Sequence, residues 1–345
     1  MSTSKYKYLI RILMWVISII GIFVIITVLV WFSTGSVRKT VSQDYQKDAE
    51  KLIENHEYDD AILALNKAGF FDPSNDQAWY ELGKIHRSFY EYTLSSKSFL
   101  RSWKAKEDDK YLIAYIESLL KNDESDIAEE FLVSIDESDL SNSLLWLIKA
   151  EDQKLSDAKK YANKIKRKSQ KNYFLSLTNL LEEDYRKFAE TLKNIQIHKS
   201  NSETPDFACP ECNRRVIWKL YPDSNTLSSL KSANNKILNS QIAESKSLYS
   251  YQAFAELGLG SIVIEPLKDL IADNLNYRDA CIVLGEIYYL EENYTTALEK
   301  LKSAEKLDYN YLPTLQLLYK TYLALDQADK VEDYNLRIEK LQFEN

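Results

Sequence analysis

The residues with the most chemistry per position are Cys209 and Cys212, in the stretch FACPECNRRVIW at 207–218. Two thiols separated by two residues can share one side of a tight turn, a spacing that serves metal ligation or reversible disulfide formation. Asn213, directly after the second thiol, tolerates the left-handed backbone such a turn needs. Structural zinc takes four ligands, so two more must come from His198, from Asp206 or from a second chain. Redox chemistry instead needs a strand before the pair and a βαβ frame around it, and no such frame is visible in this chain. A structural remnant or a plain disulfide is the third reading, and all three stay open. Cys281 lies inside a helical pattern, where it reads as a small buried apolar residue.

Cys209-Pro-Glu-Cys212-Asn213 resembles a zinc knuckle, and zinc is therefore the cofactor candidate. A zinc ribbon would carry a second knuckle a little further on. Here Trp218 is followed by Tyr221-Pro222-Asp223-Ser224-Asn225, which keeps the Pro, the acid and the Asn and replaces both cysteines. That resembles a ribbon that has lost half its ligands, but Pro, an acid, a small residue and Asn also make an ordinary turn. Cys-Pro-x-Cys is similar to the glutaredoxin motif as well.

Other catalytic signals are sparse. His56, His86 and His198 occur singly, and there is no glycine-rich phosphate loop, H-E-x-x-H or G-x-S-x-G element. The chain is expected not to be an enzyme. Lys159, Lys160, Lys164, Lys166, Arg167, Lys168 and Lys171 form a basic run, read first as a solvated helix end and second as a contact for anionic headgroups. With 44 Lys plus Arg against 52 Asp plus Glu, the net charge is −8 and the pI is 5.2. A dedicated nucleic-acid binder is usually basic, so no nucleic acid is expected. Seven Gly and six Pro in 345 residues disfavour glycine-loop nucleotide folds and open β-sandwiches.

The elements that must position these residues begin with ILMWVISIIGIFVIITVLVWF at 12–32, a run without a single charge. About 20 apolar residues span a bilayer core as helix, and Trp15 and Trp31 fall towards the two ends, where indole rings favour the interface. The run is longer than a signal-peptide core, and STGSVRK after it lacks a cleavage pattern. The expectation is a single-pass, uncleaved N-terminal anchor in the inner membrane of a bacterium. Lys5, Lys7 and Arg11 before it nearly balance Arg38, Lys39 and Lys47 after it, with a slight preference for a cytoplasmic N-terminus.

Behind the anchor the sequence repeats. Leu284, Gly285 and Tyr288 with Ala297, Leu301 and Ala304 recur at a fixed offset as Leu318, Tyr319 and Tyr322 with Val331, Asn335 and Ile338. The same offset backwards gives Ser250, Tyr251 and Phe254, then Val263, Leu267 and Leu270. Ala61, Leu65, Ala68 and Pro73, then Trp79, Leu82, Gly83 and His86 with Ser95 and Phe99, follow the same grammar. These positions resemble the tetratricopeptide repeat, a helix–turn–helix unit of about 34 residues. Two repeats at 42–109 and three at 244–345 carry the resemblance. Stripes at Leu112–Leu119, Ile127–Ile135, Leu144–Ile148, Tyr161–Ile165, Phe174–Leu181 and Tyr185–Leu192 read as three degenerate pairs between them. The expected fold is all-α: a tail at 1–11, the anchor, repeats at 42–195, an insertion at 196–236 with the Cys hairpin, and repeats at 237–345. Together they would make one α-solenoid, broken in the middle.

The resemblance implies a scaffold or adaptor that binds a protein partner through the first helix of each repeat. On this chain those positions are Tyr80, Lys84 and Arg87, and Glu286 and Tyr289. A chaperone-tail clamp would need Lys and Asn where Tyr80 and Lys84 stand, so that clamp is not expected. Anchor, repeats and a zinc-type module together are similar to the lipopolysaccharide assembly protein B family, with two departures: the Cys module is mid-chain, and only Cys209 and Cys212 match. The function expected is assembly or regulation of a membrane-associated complex. The alternatives are a metal- or redox-responsive regulator using Cys209 and Cys212, or a thiol oxidoreductase.

Overall fold

The computed structural model of the chain describes residues 3–195 and 224–343, and every regular element among them is helical. The chain divides into two compact units, 1–124 and 125–345.

The first unit holds α1 (Thr3–Glu54), α2 (Tyr58–Phe71), α3 (Asp76–Ser88), α4 (Tyr92–Ala105) and α5 (Asp109–Lys121). The candidate anchor at 12–32 falls within α1. Among the described residues no helix is long and apolar enough to cross a membrane; the side chains at 12, 13, 18, 26 and 28–32 lie outside the described residues. Those that are described from Met14 to Ile25 are exposed, Trp15 at 72%. The same helix then enters the core, where Ala49, with Tyr45, Leu52 and Ile53, packs on Ala61, Leu65 and Ala68 of α2 and on Trp79 and Leu82 of α3. Apolar residues three and four apart make that stripe.

Small residues set the helix spacing. A methyl group added at Gly83 would stand 2.6 Å from the Phe99 ring of α4, and one at Gly285 2.7 Å from Leu301 of the following helix. Caps fix the helix starts. The Asn75 side chain accepts from the Ala78 backbone N–H at 3.0 Å and donates to Ser42 Oγ at 3.0 Å. This holds α3 to α1 and satisfies an end donor that the helix itself leaves open. Pro73 lies in the turn between α2 and α3, and its carbonyl accepts from the Trp79 indole at 3.1 Å.

The second unit runs through α6 (Ser125–Ser134), α7 (Asp139–Glu151), α8 (Leu155–Lys164), α9 (Lys168–Leu181) and α10 (Tyr185–Leu192). It continues with α11 (Ser224–Asn239), α12 (Ala243–Glu256), a 3-10 turn (Gly260–Val263) and α13 (Ile264–Asp273). It ends with α14 (Arg278–Leu290), α15 (Tyr294–Leu307), α16 (Leu312–Ala324) and α17 (Ala328–Phe343). Ser224 and Asn225, read above as part of a knuckle-like turn, open a helix.

A regular mark shows where each first helix hands over to its second. Residues with positive φ are His56, Tyr90, Asp123, Gln153, Glu183, Gly258, Glu292 and Asp326. Each sits at a helix–helix turn in the left-handed conformation that commonly closes a helix. The spacing is 34 from His56 to Tyr90, 34 from Gly258 to Glu292 and 34 again to Asp326. It is 33 from Tyr90 to Asp123, then 30 and 30 through Gln153 to Glu183. The two 30-residue steps have a local cause: the second helices within them, α6 and α8, have 10 residues each, where α2, α4 and α15 have 14, and α10 after them has 8. About one helical turn is missing from α6 and from α8, and about one and a half from α10. The described helices are thus tetratricopeptide-like pairs, with a shortened set in the middle.

Candidate functional site

The first helices of the last three pairs are α12, α14 and α16, and they place Glu256 and Lys320 within electrostatic reach of Glu286. Glu286 is half-buried. Burial pushes its carboxyl above the usual range, Glu256 pushes further the same way, and Lys320 opposes them. Ile282 and Tyr289 flank Glu286 on the same helical face, four residues before and three after it, and both are half-buried. Tyr289 packs against Tyr294 with ring centroids 5.5 Å apart. The result is a polar and aromatic strip crossing three successive helices, suited to contacts with an extended segment and lacking any nucleophile–base pair.

The corresponding positions of the first unit are placed differently. Tyr80 is 8% exposed and lies between the rings of Phe99 and Tyr111 at 5.5 and 5.0 Å. Arg87 is 6% exposed and donates to Glu117 at 2.8 Å. These two side chains are packed between α3, α4 and α5 and do not stand on an open face. Lys84 does reach outward, 2.7 Å from Glu81 with its ammonium over the Tyr80 ring. The structure therefore places Glu286 and Tyr289 on one half-buried face, keeps Lys84 beside the Tyr80 ring, and buries Tyr80 and Arg87.

The sequence reading missed Glu256 and Lys320. Lys320 had a signal, since it stands one repeat length after Glu286 in the register that relates Leu284 to Leu318. His86 is buried and its Nδ1 lies 2.6 Å from Glu91, in keeping with a packed position.

Cys209, Cys212, His198 and Asp206 lie outside the described residues. Among the described residues no group of three or more His, Cys, Asp or Glu side chains is arranged to hold a metal ion. Cys281 is a buried free thiol, its pKa raised by burial. The basic run spans α8, the following turn and the start of α9, and much of it is neutralised. Lys159 pairs with Glu182 at 2.6 Å, Lys160 with Asp157 at 2.6 Å and Lys164 with Glu137 at 3.5 Å. The Lys166 and Arg167 backbone N–H groups donate to the Asp139 carboxylate.

No protein-family model matches the chain, and no curated protein matches it either. Among solved structures, a tetratricopeptide repeat protein from Parabacteroides merdae is similar, with 12% identity and a TM-score of 0.41 over 82% of this chain and 99% of that one. YrrB, described as a tetratricopeptide repeat protein with an unusual peptide-binding site, shares 13% identity at a TM-score of 0.26, over 79% of this chain and 89% of that one. PilF of Pseudomonas aeruginosa shares 11% identity at a TM-score of 0.25, over 89% and 99%. The helical-repeat assignment itself rests on the register and packing of this chain's own helix pairs.

Proposed function

We propose that the chain is a membrane-anchored helical-repeat scaffold that binds a protein partner along the first helices of its repeats, in the assembly or regulation of a membrane-associated complex. The observation that carries this reading is the Glu256–Glu286–Lys320 strip with Ile282 and Tyr289. Half-buried Ile282, Glu286 and Tyr289 of α14 are joined by exposed Glu256 of α12 and Lys320 of α16, a polar and aromatic set that recognition of an extended segment can use. Fold alone does not fix function, and the strip is where this one offers chemistry. A charge reversal there, Glu286→Arg with Tyr289→Ala, is expected to lose the partner that cross-linking to the unaltered full chain captures. Equal capture by both proteins would remove the strip from the proposal.

The anchor is supported by the uncharged run at 12–32 and by the exposure of the apolar side chains described between Met14 and Ile25. Unburied apolar surface on this scale marks contact with lipid or another protein. The full chain is expected to stay with membranes through alkaline carbonate washing, and a chain starting at Thr34 to be released. Release of both would sink the anchor.

A further inference from the structure

At the turn between the first and second helix of each repeat, the left-handed position is polar or glycine from the third repeat on: Asp123, Gln153, Glu183, Gly258, Glu292 and Asp326. The second repeat has Tyr90 there, with φ 61°. A bulky side chain is disfavoured in that conformation, and packing does not demand it, because Tyr90 is 60% exposed. Its neighbours are aromatic as well. Phe89, 50% exposed, meets Tyr58 of the preceding repeat edge-on at 5.5 Å. Tyr58 in turn lies 6.0 Å from His56, and Tyr90 meets Tyr92 at 6.3 Å. Leu94 is 44% exposed beside them. The rings thus link two successive turns into one patch on the first unit.

The exposed charge around the patch is mostly acidic. Glu57, Asp59, Asp60 and Glu91 are exposed at the starts of α2 and α4. Lys51 and Lys121 stand at this edge too, in the last turns of α1 and α5, and Lys51 lies 3.5 Å from Asp48. Aromatic faces attract cations, and carboxylates around them reinforce the attraction. Clustered Tyr and Phe rings are also the side chains that carry binding energy at protein interfaces.

We infer that the Tyr58–Phe89–Tyr90 edge is a docking surface for a protein segment carrying Lys or Arg beside an apolar side chain. This rests on the reading of the chain as a protein-binding scaffold and adds a second, chemically distinct surface to it. The rings stack against the guanidinium or ammonium stem, the acids pair with the charge, and Leu94 receives the apolar neighbour.

The test is selection of a random twelve-residue displayed peptide library on the full chain, immobilised through its C-terminus. Selected peptides are then synthesised and their affinities measured for the unaltered chain, for Phe89→Asn with Tyr90→Asp (the pair found at Asn122 and Asp123), and for Glu286→Arg with Tyr289→Ala. Peptides with Lys or Arg next to an aliphatic or aromatic residue are expected to bind the F89N/Y90D chain about tenfold more weakly and the groove variant unchanged. A second variant, Glu57→Gln with Asp59→Asn and Asp60→Asn, leaves every ring in place and is expected to weaken the same peptides and flatten their salt dependence. The inference falls if peptides that need Phe89 and Tyr90 carry no basic residue, or if both edge variants bind as the unaltered chain does. If the selected peptides respond only to the groove variant, the proposed function stands and this surface does not. If the library yields no binder, both fall.

Discussion

Arg87 and Glu117 face each other at 2.8 Å with side chains 7% and 4% exposed, so each charge depends on the other. Removing one partner of a buried pair strands its counterpart. Glu117→Leu alone is expected to cost about 3–5 kcal/mol, and Arg87→Met together with it to recover most of the loss; urea unfolding of the single and double variants measures the coupling. Glu305 gives a pH-dependent case. Burial raises its carboxyl pKa, but hydrogen bonds from Lys302, Arg337 and Tyr334 outweigh that and hold it below the usual value. A lowered native pKa means the unfolded chain takes up the proton first as pH falls. The stabilisation is therefore complete above the ordinary Glu range, near about pH 4.3, and is lost as pH drops towards the lowered value. Melting temperatures of the unaltered chain and Glu305→Gln are expected to differ at neutral pH and to converge in acid. At Asp326 the backbone is left-handed, φ 54°. Asp326→Val is expected to cost about 1–2 kcal/mol and Asp326→Gly not to destabilise, read by the same melts. Residue roles are only half legible in the sequence. Glu286 and Tyr289 keep the partial exposure that first-helix positions lead one to expect. Tyr80 and Arg87 do not, because Tyr111 and Glu117, which bury them, come from α5, where the repeat register has already slipped.

Between helices, the decisive contacts are a glycine and the ring or branched side chain it admits. Gly83→Ala would drive a methyl into Phe99, whose 0% exposure leaves it no room to retreat. An overpacked core position costs about 1–3 kcal/mol, and hydrogen exchange in α3 and α4 is expected to speed up by a matching factor while α14 and α15 do not change. Spacing of this kind is what makes the outer repeats readable. Leu-Gly on one helix and Ala or Leu on the next must recur at the length of two full helices and two turns. In the middle, α6, α8 and α10 are shortened, so the same packing recurs at a shorter spacing and a search at the full repeat length misses it. The apolar stripes survive, because a short helix still needs one buried face. The knuckle-like reading of residues 221–225 fails at its second half, where Ser224 and Asn225 supply the start of α11. Turn-forming residues are also good helix beginnings, and nothing in five residues separates the two uses.

Across the whole molecule, repeat pairs contact chiefly their neighbours, and the two compact units each have their own core. Stability in such chains is a sum of local terms, so a single cooperative transition is not required. Denaturant unfolding is expected to show two transitions, with G83A shifting only the one that reports residues 1–124; one shared shift would mean the units unfold as a block. The 52 residues of α1 rise about 78 Å at about 1.5 Å each, and the last quarter of that rod is also a wall of the first repeat. Torsion therefore has nowhere to dissipate between the apolar run and Ser42. One residue inserted at Gly35 would swing the first repeat by about 100° about the rod and move it about 1.5 Å along, whereas seven would bring it back to within about 20°. The phase of a single helix decides which compass direction the Tyr90 edge faces.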